Sequence, residues 1–182
     1  MSTTSVRDGL GAFLVGPYDA TQRAFLPAVV GVPPVAGLWI ARRGWQKDDD
    51  RRDFTRDAPA GTKTGALMVI HLDGGEEKRI SVPAVLGRKQ VRHRVTLYCY
   101  VRSTQPYAED ASDDAYALKD AIFTKLRTDP TCASGGFEAG GFQIGEGGDP
   151  WLRWFMTTPE TSAELTMIFL RIECEAHEYV IA

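Results

Sequence analysis

Three histidines, three cysteines and a strand rich in arginine and tyrosine are where this 182-residue sequence could place chemistry. A zinc site needs Cys and His ligands at short spacings. The nearest pattern is Cys174-x-x-His177. On a strand, residues three apart point to opposite faces, so the pair reads as a core cysteine and a surface histidine. His93 lies on the apolar side of its strand pattern and reads as a satisfied core histidine. The cysteines, Cys99, Cys132 and Cys174, are odd in number and widely spaced, which argues against a disulfide framework. Gly61-Thr-Lys63-Thr64 is like the end of a phosphate loop, but the preceding glycine is missing. There is no Gly-x-Ser-x-Gly elbow. The expectation is no catalytic residue, no metal and no cofactor.

Two other constellations read as contact surfaces. Gln90 to Arg102 alternates strictly. Val91, His93, Val95, Leu97, Cys99 and Val101 share one face, while Arg92, Arg94, Tyr98 and Tyr100 share the other. The Arg/Tyr face could stack single-stranded nucleic acid. The favoured reading is a sheet face covered by a helix or a subunit, with arginine stems lying along it. The second constellation is a charged run in which Arg42, Arg43, Lys47, Arg51 and Arg52 alternate with aspartates around Trp45 and Phe54. Aromatic anchors ringed by charge have the composition of an interface hot spot, so this loop is expected to be an assembly contact. The bland alternative folds both aromatics back onto their own sheet.

Composition narrows the class. Lys+Arg number 21 against 24 Asp+Glu, a net charge of −3, whereas a dedicated nucleic-acid binder normally carries a basic excess. Charged residues at 25% are ordinary for a globular chain. No run approaches the ~18 apolar residues of a membrane span, and the first residues lack a signal-peptide core. The length suits one domain, 1–182, with a core that needs no staples. The expectation is a soluble α+β domain made in the cytosol.

The elements that must position these residues follow from pattern. Residues 4–15 read as a short helix with Val6, Leu10, Phe13 and Leu14 on one stripe. A Pro-rich irregular approach leads to a strand at Gly37–Ala41, then a long charged excursion over 42–65. Ala66–Leu72 and Lys78–Val82 read as a hairpin around Asp73-Gly-Gly-Glu76. The best helix is Asp113–Thr128, with Ser112 as N-cap and Ala115, Leu118, Ile122 and Leu126 buried. A Gly-rich stretch over 135–148 reads as a strand broken by bulges. Trp151–Thr158 reads as extended. Glu164–Ile181 reads as the last long strand or strand pair. Its Leu165–Leu170 part is expected to be covered on both faces, with His177 facing out.

From Arg94 to Ile181 the order is strand, amphipathic helix, the phrase Leu126-Arg-Thr-Asp-Pro-Thr131 with Gly135-Gly-Phe137, a Gly-rich strand with Gly145-Glu146, and a closing two-stranded element, Leu165–Glu173 and Glu175–Ile181. This resembles the tail terminator proteins of long-tailed phages, the group typified by the phage lambda tail terminator, over about half of the chain. The long stretch from 16 to 65 departs from compact members of that family. The resemblance implies a mixed or antiparallel sheet flanked by two helices. It implies a homo-oligomeric ring, most simply a hexamer, that caps the tail tube in the virion and ends tail polymerisation. Its partners would be the tail tube protein and a head-completion or stopper protein, with DNA only passing through the lumen. It brings no catalytic residue. Another neck protein or a minor tail protein is the alternative within the same class. A ligand-binding or nucleic-acid module is the alternative outside it.

Overall fold

A computed structural model describes residues 3–14, 18–19, 24–25, 38–41, 64–79, 88–104, 107–134, 141–145, 151–162 and 165–181. Among these residues, helices α1 (Thr3–Leu14) and α2 (Ala108–Thr128) accompany nine strands. These are β1 (Tyr18–Asp19), β2 (Ala24–Phe25), β3 (Leu38–Ala41), β4 (Thr64–Arg79), β5 (Arg88–Ser103), β6 (Phe142–Ile144), β7 (Arg153–Met156), β8 (Glu160–Thr161) and β9 (Thr166–Ile181). All join one sheet in the order β1-β2-β3-β4-β5-β9-β6, with β7 and β8 also paired to β9. Every pairing is antiparallel except β3 on β4, which is parallel. The class is α+β with a mixed, mostly antiparallel sheet.

The centre is three strands of 16 residues each, β4, β5 and β9. Their register stacks apolar rows across the sheet. Ala66, Val101 and Ile168 are opposite one another, as are Met68, Cys99 and Leu170, then Ile70, Leu97 and Ile172. All nine are buried. Strand side chains alternate between faces, so these rows make one apolar face. α2 packs on β9 and β5, and α1 packs on β4. Val6, Leu10 and Leu14 of α1 join Leu118, Ile122 and Leu126 of α2 in the same core cluster. Each stripe follows the spacing of three and four residues that a helix face requires.

Four expectations are corrected here. The hairpin over Ala66–Val82 is absent. β4 runs straight through Asp73-Gly-Gly-Glu76, with a register shift between Leu72 and Gly74. The turn-like sequence makes a bulge because β5 continues as a template to Lys89 opposite Arg79. Gly74, at φ 139°, takes a conformation that side chains rarely adopt.

The second helix starts at Ala108, not Asp113. Ser112 is inside it and its hydroxyl donates back to the Ala108 carbonyl at 3.0 Å, the in-helix alternative to capping. His177 shares the face of Arg171, Glu173 and Glu175, as expected, but it is buried there rather than at the surface. β6 pairs along β9 at Glu178, His177 and Ala176, and the Gln90 amide lies 3.1 Å from His177 Nδ1. Finally, Leu165–Leu170 is not covered on both faces, since Met167 is exposed and Phe169 half-buried. Phe169 is instead flanked within its own face by the rings of Tyr98 and Tyr100.

Candidate assembly surface

The second face of the sheet carries the Arg/Tyr constellation. Tyr98 is stacked on Phe169 at 5.9 Å between centroids and 19° between planes. Tyr100 approaches the same ring at 5.3 Å and 49°. His71 of β4 lies 6.3 Å from Tyr98. Aromatic pairs in these offset and tilted arrangements are favourable beyond their buried area. Burial, and then the neighbouring Tyr98, pushes the Tyr100 phenol above its usual range. The structure therefore brings Tyr98 and Tyr100 together, around a phenylalanine that the sequence did not single out.

It does not bring Arg92 and Arg94 to those rings. Both lie further along β5 and are held by carboxylates. Arg92 donates to both oxygens of Glu175 at 2.7 Å. Arg94 reaches Glu76 at 3.5 Å. On the same face Arg171 pairs with Glu173 at 3.1 Å. A guanidinium already held in a fork by its own carboxylate is a poor phosphate ligand. Among the described residues, the face is a mosaic of ion pairs beside an aromatic cluster. Arg42, Arg43, Trp45, Lys47, Arg51, Arg52 and Phe54 lie outside the described residues.

A second cluster was not assigned a role from the sequence. Tyr116, Trp151, Trp154, Phe155 and Met167 are among the exposed large hydrophobics, from 41% to 52% accessible. They lie around β7, with Trp154 on the α2 side of the sheet beside Tyr116 and Phe155 on the other face beside Arg171. The Trp154 and Tyr116 rings meet edge to face at 6.0 Å. Lys119 lies 4.7 Å over Trp154, Arg153 4.4 Å over Trp151 and Arg171 5.7 Å over Phe155. The signal was present as the aromatic run Trp151-Leu-Arg-Trp-Phe155. In a strand, consecutive Trp154 and Phe155 point to opposite faces, so a pattern search for one apolar face passes over them.

Two buried polar groups hold the frame beneath. At one end Thr64 donates to the Asp114 carboxylate, and the Ser103 hydroxyl lies 2.8 Å from that of Thr64. This ties α2 to the ends of β4 and β5. Burial pushes the Asp114 carboxyl above its ordinary range, against the Thr64 hydrogen bond. At the other end His93 Nε2 meets Glu178 Oε1 at 2.9 Å, both side chains being buried. This is the satisfied core histidine expected of His93. After α2, Asp129 accepts from the Thr131 amide at 3.0 Å, the Thr131 hydroxyl at 2.6 Å and the Ala133 amide at 2.9 Å. The Thr131 contact leads in holding its carboxyl below the usual range. The Ile144 amide then donates to Pro130 at 2.7 Å, so the Asp-Pro-Thr phrase is a built turn that delivers β6 to β9.

Cys99, Cys132 and Cys174 are all buried thiols. Burial raises all three, Cys174 to about 12, the opposite of what a reactive thiolate needs. Among the described residues, no three His, Cys, Asp or Glu side chains gather as a metal site would require. No described helix is long and apolar enough to cross a membrane. Compared with known proteins, the chain matches no protein-family model and no curated sequence.

Proposed function

We propose that this chain is a virion structural protein, a tail terminator of a long-tailed phage. It acts as a homo-oligomeric ring that caps the tail tube and meets the head connector. The observation that carries the reading is the order β5, α2, Asp129-Pro-Thr131 turn, β6, β7, β8, β9 over the segment on which the resemblance rests, although its closing part is one 16-residue strand rather than the expected two-stranded element. In support, that phrase has a definite mechanical job. Its hydrogen bonds reverse the chain after α2 and return it to the sheet. Also in support, the chain's most distinctive chemistry is exposed aromatic and ion-paired surface, which suits contact between proteins. On this reading the protein has no catalytic role.

The nucleic-acid module is the weaker reading, because Arg92 and Arg94 are engaged by Glu175 and Glu76. The test is electron microscopy of purified tail tubes mixed with the protein, alongside native mass. Rings at tube ends and arrest of tube growth are expected. A protein that leaves tube ends bare, or assembles only as a twofold dimer, overturns the reading.

A further inference from the structure

The His93–Glu178 contact joins two side chains that are each more than nine-tenths buried, at 5% and 4% exposure. It satisfies only one atom of each. Nε2 of His93 meets Oε1 of Glu178 at 2.9 Å, and that is the one hydrogen bond the ring makes. Glu178 Oε2 has no hydrogen-bond partner among the described residues. A carboxylic acid is a stronger acid than an imidazolium, so the carboxylate is the ionised member and accepts from Nε2–H.

The other ring nitrogen looks onto an opening. Gly75 of β4 is opposite His93, and a Cβ on it would lie 3.4 Å from His93 Nδ1. Because glycine has none, the ring borders an open cavity of about 280 Å³, with Leu72 and Val91 as apolar walls. That volume is just below the ~300–1,000 Å³ of drug-sized sites, so it admits a smaller molecule.

Charge decides which molecule. With Nδ1 bare, the pair carries one negative charge where water hardly reaches, and a buried charge without a counter-charge is costly. The charged groups around it do not cancel it. Glu77 also lines the cavity but holds Lys89 at 2.6 Å. Glu76, a further lining residue, reaches Arg94 at 3.5 Å. On the β6 side Glu178 is opposite the apolar Phe142. The missing positive charge at Nδ1 is therefore supplied by a proton or by a cation that donates a hydrogen bond. Among the described residues no three His, Cys, Asp or Glu side chains gather, so an organic cation fits better than a metal ion.

We propose that this cavity binds a short primary alkylammonium, its chain against Leu72 and Val91 and its N–H donating to His93 Nδ1. Glu178 is the positioning residue, which holds the ring by Nε2 and supplies the negative charge behind it. The ligand and a proton compete for one atom, so binding tightens as pH rises. This site is independent of the ring reading.

Titration of the wild-type protein, followed through its histidine ring signals in NMR, tests the site. The probes are n-butylammonium, n-butanol and butyrate. The chain has three histidines, and the other two are internal controls. His71 is exposed, and His177 stands on the opposite face of β9 from Glu178. n-Butylammonium is expected to move the His93 signals alone, and to bind more tightly at about pH 8.5 than at about pH 5.5, while it stays protonated itself. n-Butanol and butyrate are expected to leave His93 unmoved. Glu178→Gln and His93→Gln, each checked by thermal melting, should weaken binding by about tenfold or more. If neither variant folds, the probe ranking and the pH dependence in the wild type decide alone. A lysine tripeptide blocked at both ends separates two sources of the same chemistry. Tighter binding than n-butylammonium assigns the site to a lysine side chain, and weaker binding assigns it to a free amine. Preference for butyrate would make Nδ1 a donor and overturn the proposal. Binding indifferent to pH, a response at His71 or His177 alone, or no response at His93 to any probe would also overturn it.

Discussion

The two halves of β4 are one strand built for different reasons. From Thr64 to Ile70 every described side chain is buried, on both faces of the sheet. From His71 to Arg79 every residue except Leu72 is exposed. The first half is an apolar stretch flanked by β3 on one side and β5 on the other. The second half, His-Leu-Asp-Gly-Gly-Glu-Glu-Lys-Arg, would be a turn on composition. It is extended because β5 offers an unbroken partner from Ser103 to Lys89, which β9 supports over its whole length. Burial specifies the first half, whereas backbone pairing and cross-strand pairs such as Lys89 with Glu77 at 2.6 Å specify the second.

Four substitutions sharpen or break that contrast. Leu97→Ala, in the centre of the buried rows, should cost about 2–5 kcal/mol in denaturant unfolding. A loss under 1 kcal/mol would mean that the apolar face does not hold the fold. Gly75→Ala is the sharper case, because the position is exposed yet a Cβ there would lie 2.8 Å from the Arg92 carbonyl oxygen. It should cost about 1–3 kcal/mol as the strands shift apart. A neutral result would show that the exposed half of β4 does not hold its pairing.

Asp114→Asn keeps the size of a buried group whose carboxyl is raised above 3.8, and its main effect should be on pH dependence. With a raised folded value the native state binds the extra proton, so this group lowers stability as pH rises from about 3.8 through that raised value. The variant should flatten that slope in melting curves taken across the acid range. Asp129 works the other way. Its lowered folded value gives stability that is full above 3.8 and lost as pH falls through the lowered value. The smallest effect is expected from Glu77→Gln, which removes a half-exposed pair with Lys89 and should move stability by no more than about 1 kcal/mol. A larger loss would give the exposed half a stabilising role of its own.

Much of the fold was legible because periodicity reports burial on one face. The strand Gln90–Arg102, both helices and the alternation of Ile172, Cys174 and Ala176 all follow from spacing alone, and they appear in β5, α1, α2 and β9. The core role of Cys99, Cys174 and His93 followed from the same pattern. The candidate surface was less legible. Tyr98 and Tyr100 stand on the face assigned to them, but their ring partner Phe169 is 69 residues beyond Tyr100 and meets it only through the pairing of β5 with β9. The Trp151–Phe155 stretch carries no single-face period, so its exposure on an edge could not be read.

The sequence by itself determined which residues are apolar at strand and helix spacing, and hence which face of each element goes inward. That is a local property, because side-chain direction follows from backbone geometry within a few residues. Only the tertiary structure decided what lies beside what. It turned the Asp73–Glu76 turn signal into a bulge by supplying β5 as a template. It buried His177 between β5 and β6. It assigned Arg92 to Glu175, which lies 83 residues away. Each outcome depends on strand register, and register is set by the summed fit of whole strands rather than by any short stretch of sequence.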